Sequence, residues 1–250
     1  MRRSPKPTRG SDMPPFTRTT VSEEIYHTLR MEILCLRFKP GEELNLQLLG
    51  EQLQVSRSPV RDALMRLAGD NLVDIFPQRG TRVSLINLKQ VEEERFLRKS
   101  LEESAVKKFM YQGREEDWQA MERAIADQVA AMEKSDFVAF LEADDAFHQV
   151  IFEAIGMGRI WRIIKAQGGN HHRIRLLSFY EKNVIANIID EHRRMLAALQ
   201  AKQMDTVLAL QNNHLSKLLQ ETESIVARYP NYFTKQAAPR LGSAAHRSTP

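Results

Sequence analysis

The sequence predicts a mainly α protein in two parts: three short helices closed by a β-hairpin, then an antiparallel bundle of long helices. Apolar residues recur at three- and four-residue steps over most of the chain, the spacing of helices with one buried face. Only two short runs, Leu72–Phe76 and Thr81–Leu85, have the composition of strands, and Pro77-Gln78-Arg79-Gly80 joins them. From Leu88 onward no strand pattern occurs, and the breaks between helical stretches are short, which favours antiparallel neighbours.

The first helix is marked by Ile25, Leu29, Ile33 and Leu36 within Ser22–Leu36, and Lys39-Pro40-Gly41 stops it. Asn45 is the expected N-cap of a short second helix, Leu46–Leu53. Beyond Gln54-Val55, Ser56 is the expected N-cap of a third helix running to about Asp70. Pro59 lies in its first turn, where a missing N–H costs little. Three helices followed by a hairpin is the layout of an N-terminal winged helix-turn-helix. The C-terminal antiparallel all-helical bundle is expected from Leu88–Gln112, Glu115–Lys134, Asp136–Ile155, Arg159–Tyr180, Asn183–Ala201 and Asp205–Ala227. The expected organisation is a Pro- and Arg-rich flexible arm over 1–17, the winged domain over 18–86, the helical domain over 87–232, and a flexible tail over 233–250.

The chain has 250 residues, 42% hydrophobic and 27% charged, which is enough to build ordinary globular cores. No apolar run approaches the ~18–20 residues that cross a bilayer, and the basic N-terminal stretch is not followed by a secretory apolar segment. The single cysteine, Cys35, excludes an internal disulfide and fits a reducing, cytoplasmic setting, with the thiol buried in Ile33-Leu34-Cys35-Leu36. Residues 1–90 hold fourteen Lys/Arg against ten Asp/Glu, which accounts for the whole net charge of +4. A basic head on a neutral body permits a polyanion partner at one end only.

The third helix concentrates Arg57, Ser58, Arg61 and Arg66, with Arg57 and Arg61 four apart on one face and Ala63, Leu64 and Leu67 behind. Arginine can bind guanine O6 and N7 in bidentate fashion, and Ser58 with the helix N-terminal amides can hold phosphate. At the hairpin tip, Gly80 would let the backbone approach a duplex closely, and Arg79 could enter the minor groove. A solvated basic helix beside an ordinary hairpin would carry the same charges.

In the bundle, Asp144 and His148 are four apart on one helical face, next to apolar Ala143, Phe147 and Ile151. A carboxylate and an imidazole at that spacing can chelate one cation, although alone they are equally a surface or capping pair. His192 and His214 lie inside two further amphipathic helices, where each alone reads as an ordinary core or surface histidine. His171-His172 with Arg173 and Arg175 reads as a solvated face, with a lining of the bundle cavity as the alternative, and Val91-Glu-Glu-Glu-Arg95 reads as a solvated face. Asp145 is expected to be exposed, and Trp118 and Trp161 to pack.

Residues 25–83 resemble the DNA-binding domain of GntR-type regulators. The likeness lies in Pro40-Gly41, Val55-Ser56-Arg57-Ser58-Pro59-Val60-Arg61 with Ala63-Leu64, Leu72-Val73, and Arg79-Gly80-Thr81-Arg82-Val83. It implies operator contacts at Arg57, Ser58, Pro59 and Arg61, a wing contact at Gly80, and a further contact near Gln47. Gly50 departs from the alanine usual there. The rest of the chain resembles the FCD effector domain of one GntR branch, through Arg98-Lys-Ser-Leu101-Glu102, Asp144-x-x-Phe147-His148, Glu191-His192-Arg193 and His214-Leu215. That resemblance implies a divalent metal, zinc or nickel, on Asp144, His148, His192 and His214, and a carboxylate-reaching role for Arg98. Gly156-Met157-Gly158 stands where that family commonly ends the turn with Gly-Asn. Together the resemblances imply a homodimeric repressor, not an enzyme, that binds double-stranded operator DNA and a small organic or sugar acid. Two other classes stay open on the residues alone. A metalloenzyme could use the Asp/His set to activate water, though no general-base constellation accompanies it, and an architectural DNA-binding protein would need no effector.

Overall fold

The structure, a computed structural model, describes residues 20–181 and 183–235; the arm over 1–17 and the last fifteen residues, 236–250, lie outside the described residues. The head consists of α1 (Val21–Leu34), β1 (Glu43–Leu44), α2 (Leu46–Gln52), α3 (Arg57–Gly69), β2 (Val73–Phe76) and β3 (Gly80–Val83). Asn45 caps α2 as expected, its Oδ1 accepting from the Gln47 and Leu48 amides at 2.9 and 3.1 Å. Ser56 occupies the N-cap position of α3 in extended backbone but makes no side-chain cap bond. Ile25, Leu29, Ile33, Val60, Leu64, Leu67 and Val83 form the core under the sheet. That core fixes the outward direction of the opposite face of α3.

The wing is larger than a hairpin. β3 pairs antiparallel with β2 through Val73↔Val83 and Phe76↔Gly80, and on its other edge with β1 through Glu43↔Arg82. A two-residue strand has no readable period, so β1 leaves no mark in the sequence. Gly80 has φ +109° at the wing tip, a conformation that a Cβ would strain.

The second part contains α4 (Leu88–Gln112), α5 (Glu115–Glu133), α6 (Phe137–Ala154), α7 (Gly158–Gln167), α8 (Gly169–Ser178), α9 (Val184–Gln200) and α10 (Met204–Arg228), then a 3-10 turn, Pro230–Tyr232. The single helix expected over Arg159–Tyr180 is two helices. Gly168 ends α7 and begins α8, and each of the paired glycines Gly168-Gly169 weakens a continuous helix by about 1 kcal/mol. Gly169 also lies against Leu72 of the head, where an added Cβ would come within 2.9 Å of the leucine side chain. The bundle core is aromatic-rich, with Phe109, Phe140, Phe147 and Phe152 all fully buried.

A third small core joins the two parts: Ile86, Val91, Ile174, Leu177, Ile225 and Phe233. The Ile86 amide donates to the Tyr232 carbonyl at 2.8 Å, and the Thr234 amide donates back to the Ile86 carbonyl at 3.0 Å. Phe233 and Thr234 therefore belong to the packed chain, although they fall in the segment read as tail; one aromatic outside any periodic pattern gives no signal. Among the described residues no helix is long and apolar enough to cross a membrane.

Candidate metal centre, effector pocket and nucleic-acid face

Four polar side chains meet in the middle of the bundle. Asp144 and His148 come from successive turns of α6, His192 from α9 and His214 from α10. One ligand atom from each lies within 4.8 Å of all the others. His214 Nε2 is 3.3 Å from His148 Nε2 and 3.4 Å from His192 Nε2. The Asp144 carboxylate is 3.9 Å from His148 Nε2 and 3.8 Å from His192 Nε2.

Surrounding side chains decide which nitrogen of each ring faces inward. His192 Nδ1 is 3.0 Å from Gln128 Oε1, His214 Nδ1 is 2.9 Å from Glu191 Oε2, and His148 Nδ1 is 2.9 Å from Glu102 Oε2. Each partner is an acceptor, so the proton belongs on Nδ1 and each Nε2 turns a lone pair toward the centre. Burial pushes His148 and His192 below the usual histidine pKa, which keeps both rings neutral. Asp144 Oδ1 is buried there with no hydrogen-bond partner. Three inward lone pairs and an orphaned carboxylate oxygen repel one another unless a cation lies between them. As a donor set they suit zinc or nickel.

Arg98 of α4 is the next layer. Its Nε donates to Glu102 at 2.5 Å, its guanidinium stands 5.6 Å from the Trp161 ring centre, and its Nη2 is buried without a hydrogen-bond partner. Burial opposes ionisation of Glu102, yet Arg98 and His148 beside it hold its carboxyl below the usual range. Arg175 of α8 donates to both Asp144 and Asp145, and Lys165 pairs with Asp145. A pocket open to solvent is lined by Arg98, Asp144, Arg175 and His214 together with the apolar Phe179, Val184, Ile188 and Leu215.

On the head, Arg57, Ser58, Arg61, Gln47, Arg79 and Gly80 lie at the surface, and Pro59 is half-buried. Arg57 Nη2 donates to Gln47 Oε1 at 2.7 Å, which links α3 to α2 across the turn. Arg66 is on the same helix but turns back to α1. It pairs with Glu23 at 2.5 Å and lies 4.2 Å from the Tyr26 ring centre.

Residues 21–83 match the family described as bacterial regulatory proteins, gntR family, and residues 95–217 match the FCD domain. A relative from Agrobacterium vitis, an uncharacterized HTH-type transcriptional regulator in the TAR-I ttuE-ttuC' intergenic region, is 30% identical over 129 residues, 50% of this chain and 75% of its own length. The chain belongs to the GntR family of transcription regulators. The HTH-type transcriptional repressor RspR of Escherichia coli K12 is 27% identical over 216 residues, 86% of this chain and 95% of that protein. Among solved structures, E. coli McbR/YncC has the same fold, with a TM-score of 0.69 at 22% identity, covering 85% of this chain and all of that one.

In this GntR regulator the FCD half departs in four places from what the residues alone predicted. Asp145 is buried rather than exposed, because Lys165 and Arg175 supply it with two cations. His171 and Arg173 are buried rather than solvated, and His171 and Arg175 line the pocket, the alternative reading of that segment. Within the acidic run, Glu94 turns inward and accepts from the His171 amide at 2.7 Å and from Asn170 at 3.0 Å. Arg95 is largely buried along the same helix. Gln128 and Glu191 escaped notice as supports for the histidines. Gln128 had a signal: it is the one amide on the stripe Met121, Ala124, Ile125, Gln128, Ala131 of α5. Leucine at Gln128 removes the acceptor that holds the His192 Nδ1 proton, so metal affinity is expected to fall about 10- to 100-fold, measured by competition with a chelating dye. Unchanged affinity would remove Gln128 from the site.

Proposed function

We propose that this regulator is a homodimeric repressor whose operator binding responds to a small carboxylate held beside a divalent metal in the FCD domain. The supporting observation is the convergence of His148, His192 and His214, the last two held through Nδ1, with an orphaned Asp144 oxygen beside Arg98, whose Nη2 has no hydrogen-bond partner. A divalent cation on Asp144, His148, His192 and His214 would supply positive charge and open coordination positions to a carboxylate. Arg98 would orient that carboxylate through its free guanidinium nitrogen. Glu102 fixes Arg98 and His148 at once, so recognition and ligation share one buried anchor. The RspR relative is named a repressor, which favours repression over activation.

In the same reading, Arg57 and Arg61 reach base edges in the major groove, and Ser58 with the start of α3 holds phosphate. Gln47 sets the direction of Arg57, and Arg79 with Gly80 enters the adjacent minor groove. Two heads related by a two-fold axis would read a pseudo-palindromic operator. Arg61→Ala is expected to weaken operator binding about 10- to 100-fold at fixed salt in a gel-shift series, the loss of one base-reading arginine. Arg66→Ala serves as the comparison, since its charge is spent on Glu23, and it should change affinity little. Equal effects of the two variants would refute the assignment of the recognition face.

A further inference from the structure

Four residues, Ser84 to Asn87, carry the chain from β3 of the head to α4 of the bundle. The Ser84 amide donates to the Leu72 carbonyl at 2.9 Å, and its carbonyl accepts from Arg173 of α8 at 2.6 Å. The Asn87 amide donates to Asn170 Oδ1 at 3.1 Å. Between them Ile86 is fully buried, and it takes its backbone partners from the last part of the described chain. Its amide donates to the Tyr232 carbonyl at 2.8 Å and its carbonyl accepts from the Thr234 amide at 3.0 Å, which makes a parallel bridge to Phe233. The Phe233 side chain belongs to the same small core as Ile86, with Val91, Ile174, Leu177 and Ile225. The 3-10 turn Pro230–Tyr232 brings the chain back to this point from the end of α10, the Tyr232 amide donating to the Tyr229 carbonyl at 3.0 Å. Residues 84–87 and 232–234 both lie outside the matched GntR and FCD segments.

We propose that Tyr232, Phe233 and Thr234 form a strap that fixes the angle of the winged head on the helical domain, and that a dimer needs this fixed angle to seat both heads on one operator. The second half of the proposal rests on the homodimeric operator reading given above. Among the described residues, the two bonds to the strap are the only backbone hydrogen bonds that Ile86 makes. A buried amide and carbonyl each need a partner. Without the strap both groups stand unpaired in an apolar core, a cost that is relieved when Ile86 moves out toward water. That movement frees the backbone torsions between β3 and α4, and the head then samples a range of angles. One head still docks on one half-site, because the head's own core contains neither Ile86 nor Phe233. Two heads at varying angles engage two half-sites together less often. The loss therefore falls on the gain from joining two binding modules, which is on the order of 10²–10⁴-fold.

The test compares the full chain with three variants. Thr234→Pro removes the amide that donates to Ile86, Thr234→Ala keeps it, and Phe233→Ala takes the ring out of the small core. Deuterium uptake at Ile86 is expected to be at least about tenfold faster in Thr234→Pro and in Phe233→Ala, and to stay within about twofold of the wild type in Thr234→Ala. Gel shifts then use two duplexes derived from a random library by selection with the wild type, one with both half-sites and one cut to a single half-site. In the two disruptive variants affinity for the two-site duplex should fall about tenfold or more, while affinity for the single site stays within about twofold. Should Thr234→Pro fail to fold, Phe233→Ala supplies the same comparison. Unchanged uptake at Ile86 in the disruptive variants, or equal losses on the two duplexes, would overturn the strap. Faster uptake with undiminished affinity for the two-site duplex would overturn its role on the operator. A wild type that gains nothing from the second half-site would overturn the dimeric operator reading instead, and deuterium uptake alone then decides whether the strap holds the head.

Discussion

Alanine in place of His192 is expected to leave the protein folded at 25 °C but without stoichiometric zinc or nickel after dialysis, as read by elemental analysis. His192 is fully buried, and its Nε2 is within 4 Å of both His214 and Asp144. The Gln128 amide behind it faces the vacated Nδ1 position, not the point where the Nε2 atoms converge. Loss of an outer partner alone weakens metal sites about 10- to 100-fold, so loss of a ligand should exceed 100-fold. The variant also removes the ring stacked on Phe147, whose centre is 4.1 Å away, so some metal-free stability is lost as well. The two effects separate by melting with and without added zinc. The wild type should gain about 2.7 kcal/mol at a hundredfold excess over Kd, and the variant close to nothing. A variant that keeps one equivalent of metal would refute the assigned ligand set.

Arg173→Ala is expected to be the most destabilising substitution between the two domains, by about 3–5 kcal/mol in urea unfolding. Arg173 is completely buried, donating to the Ser84 carbonyl at 2.6 Å, to Asn170 Oδ1 at 3.0 Å and to the Gly169 carbonyl at 3.3 Å. Burial pulls its pKa down to about 10, against the nearby carboxylates Glu94 and Asp74. Truncation leaves the Ser84 carbonyl without its donor and removes the cation that faces Glu94. Arg173→Met, which restores apolar volume but no donors, should recover only part of the loss. If alanine lowered stability by less than about 1 kcal/mol, the junction would not depend on this guanidinium.

The parts of the molecule with strong periodicity are legible in the sequence. The three head helices, the hairpin and most of the bundle follow from where Ile25, Leu29, Ile33, Phe147 and Ile151 recur. The four inward ligands are legible as types but not as a cluster, since α6, α9 and α10 meet only through tertiary packing. The buried polar groups are not legible. Arg173 and Asp145 look solvated in sequence because charge normally stays in water, and only partners far along the chain make their burial tolerable. The break at Gly168 is hidden for a related reason. A glycine pair is tolerated inside many helical patterns, so Gly168-Gly169 alone does not announce the end of α7.

That break gives α8 a short reach with two distinct ends of use. Asn170 bonds the Asn87 amide at the start of α4, while Arg175, five residues on, touches Asp144. Along a helix axis those positions are about 8 Å apart. In the proposed reading, an occupied cavity would have no long relay to travel, because about one and a half turns of α8 separate the two contacts.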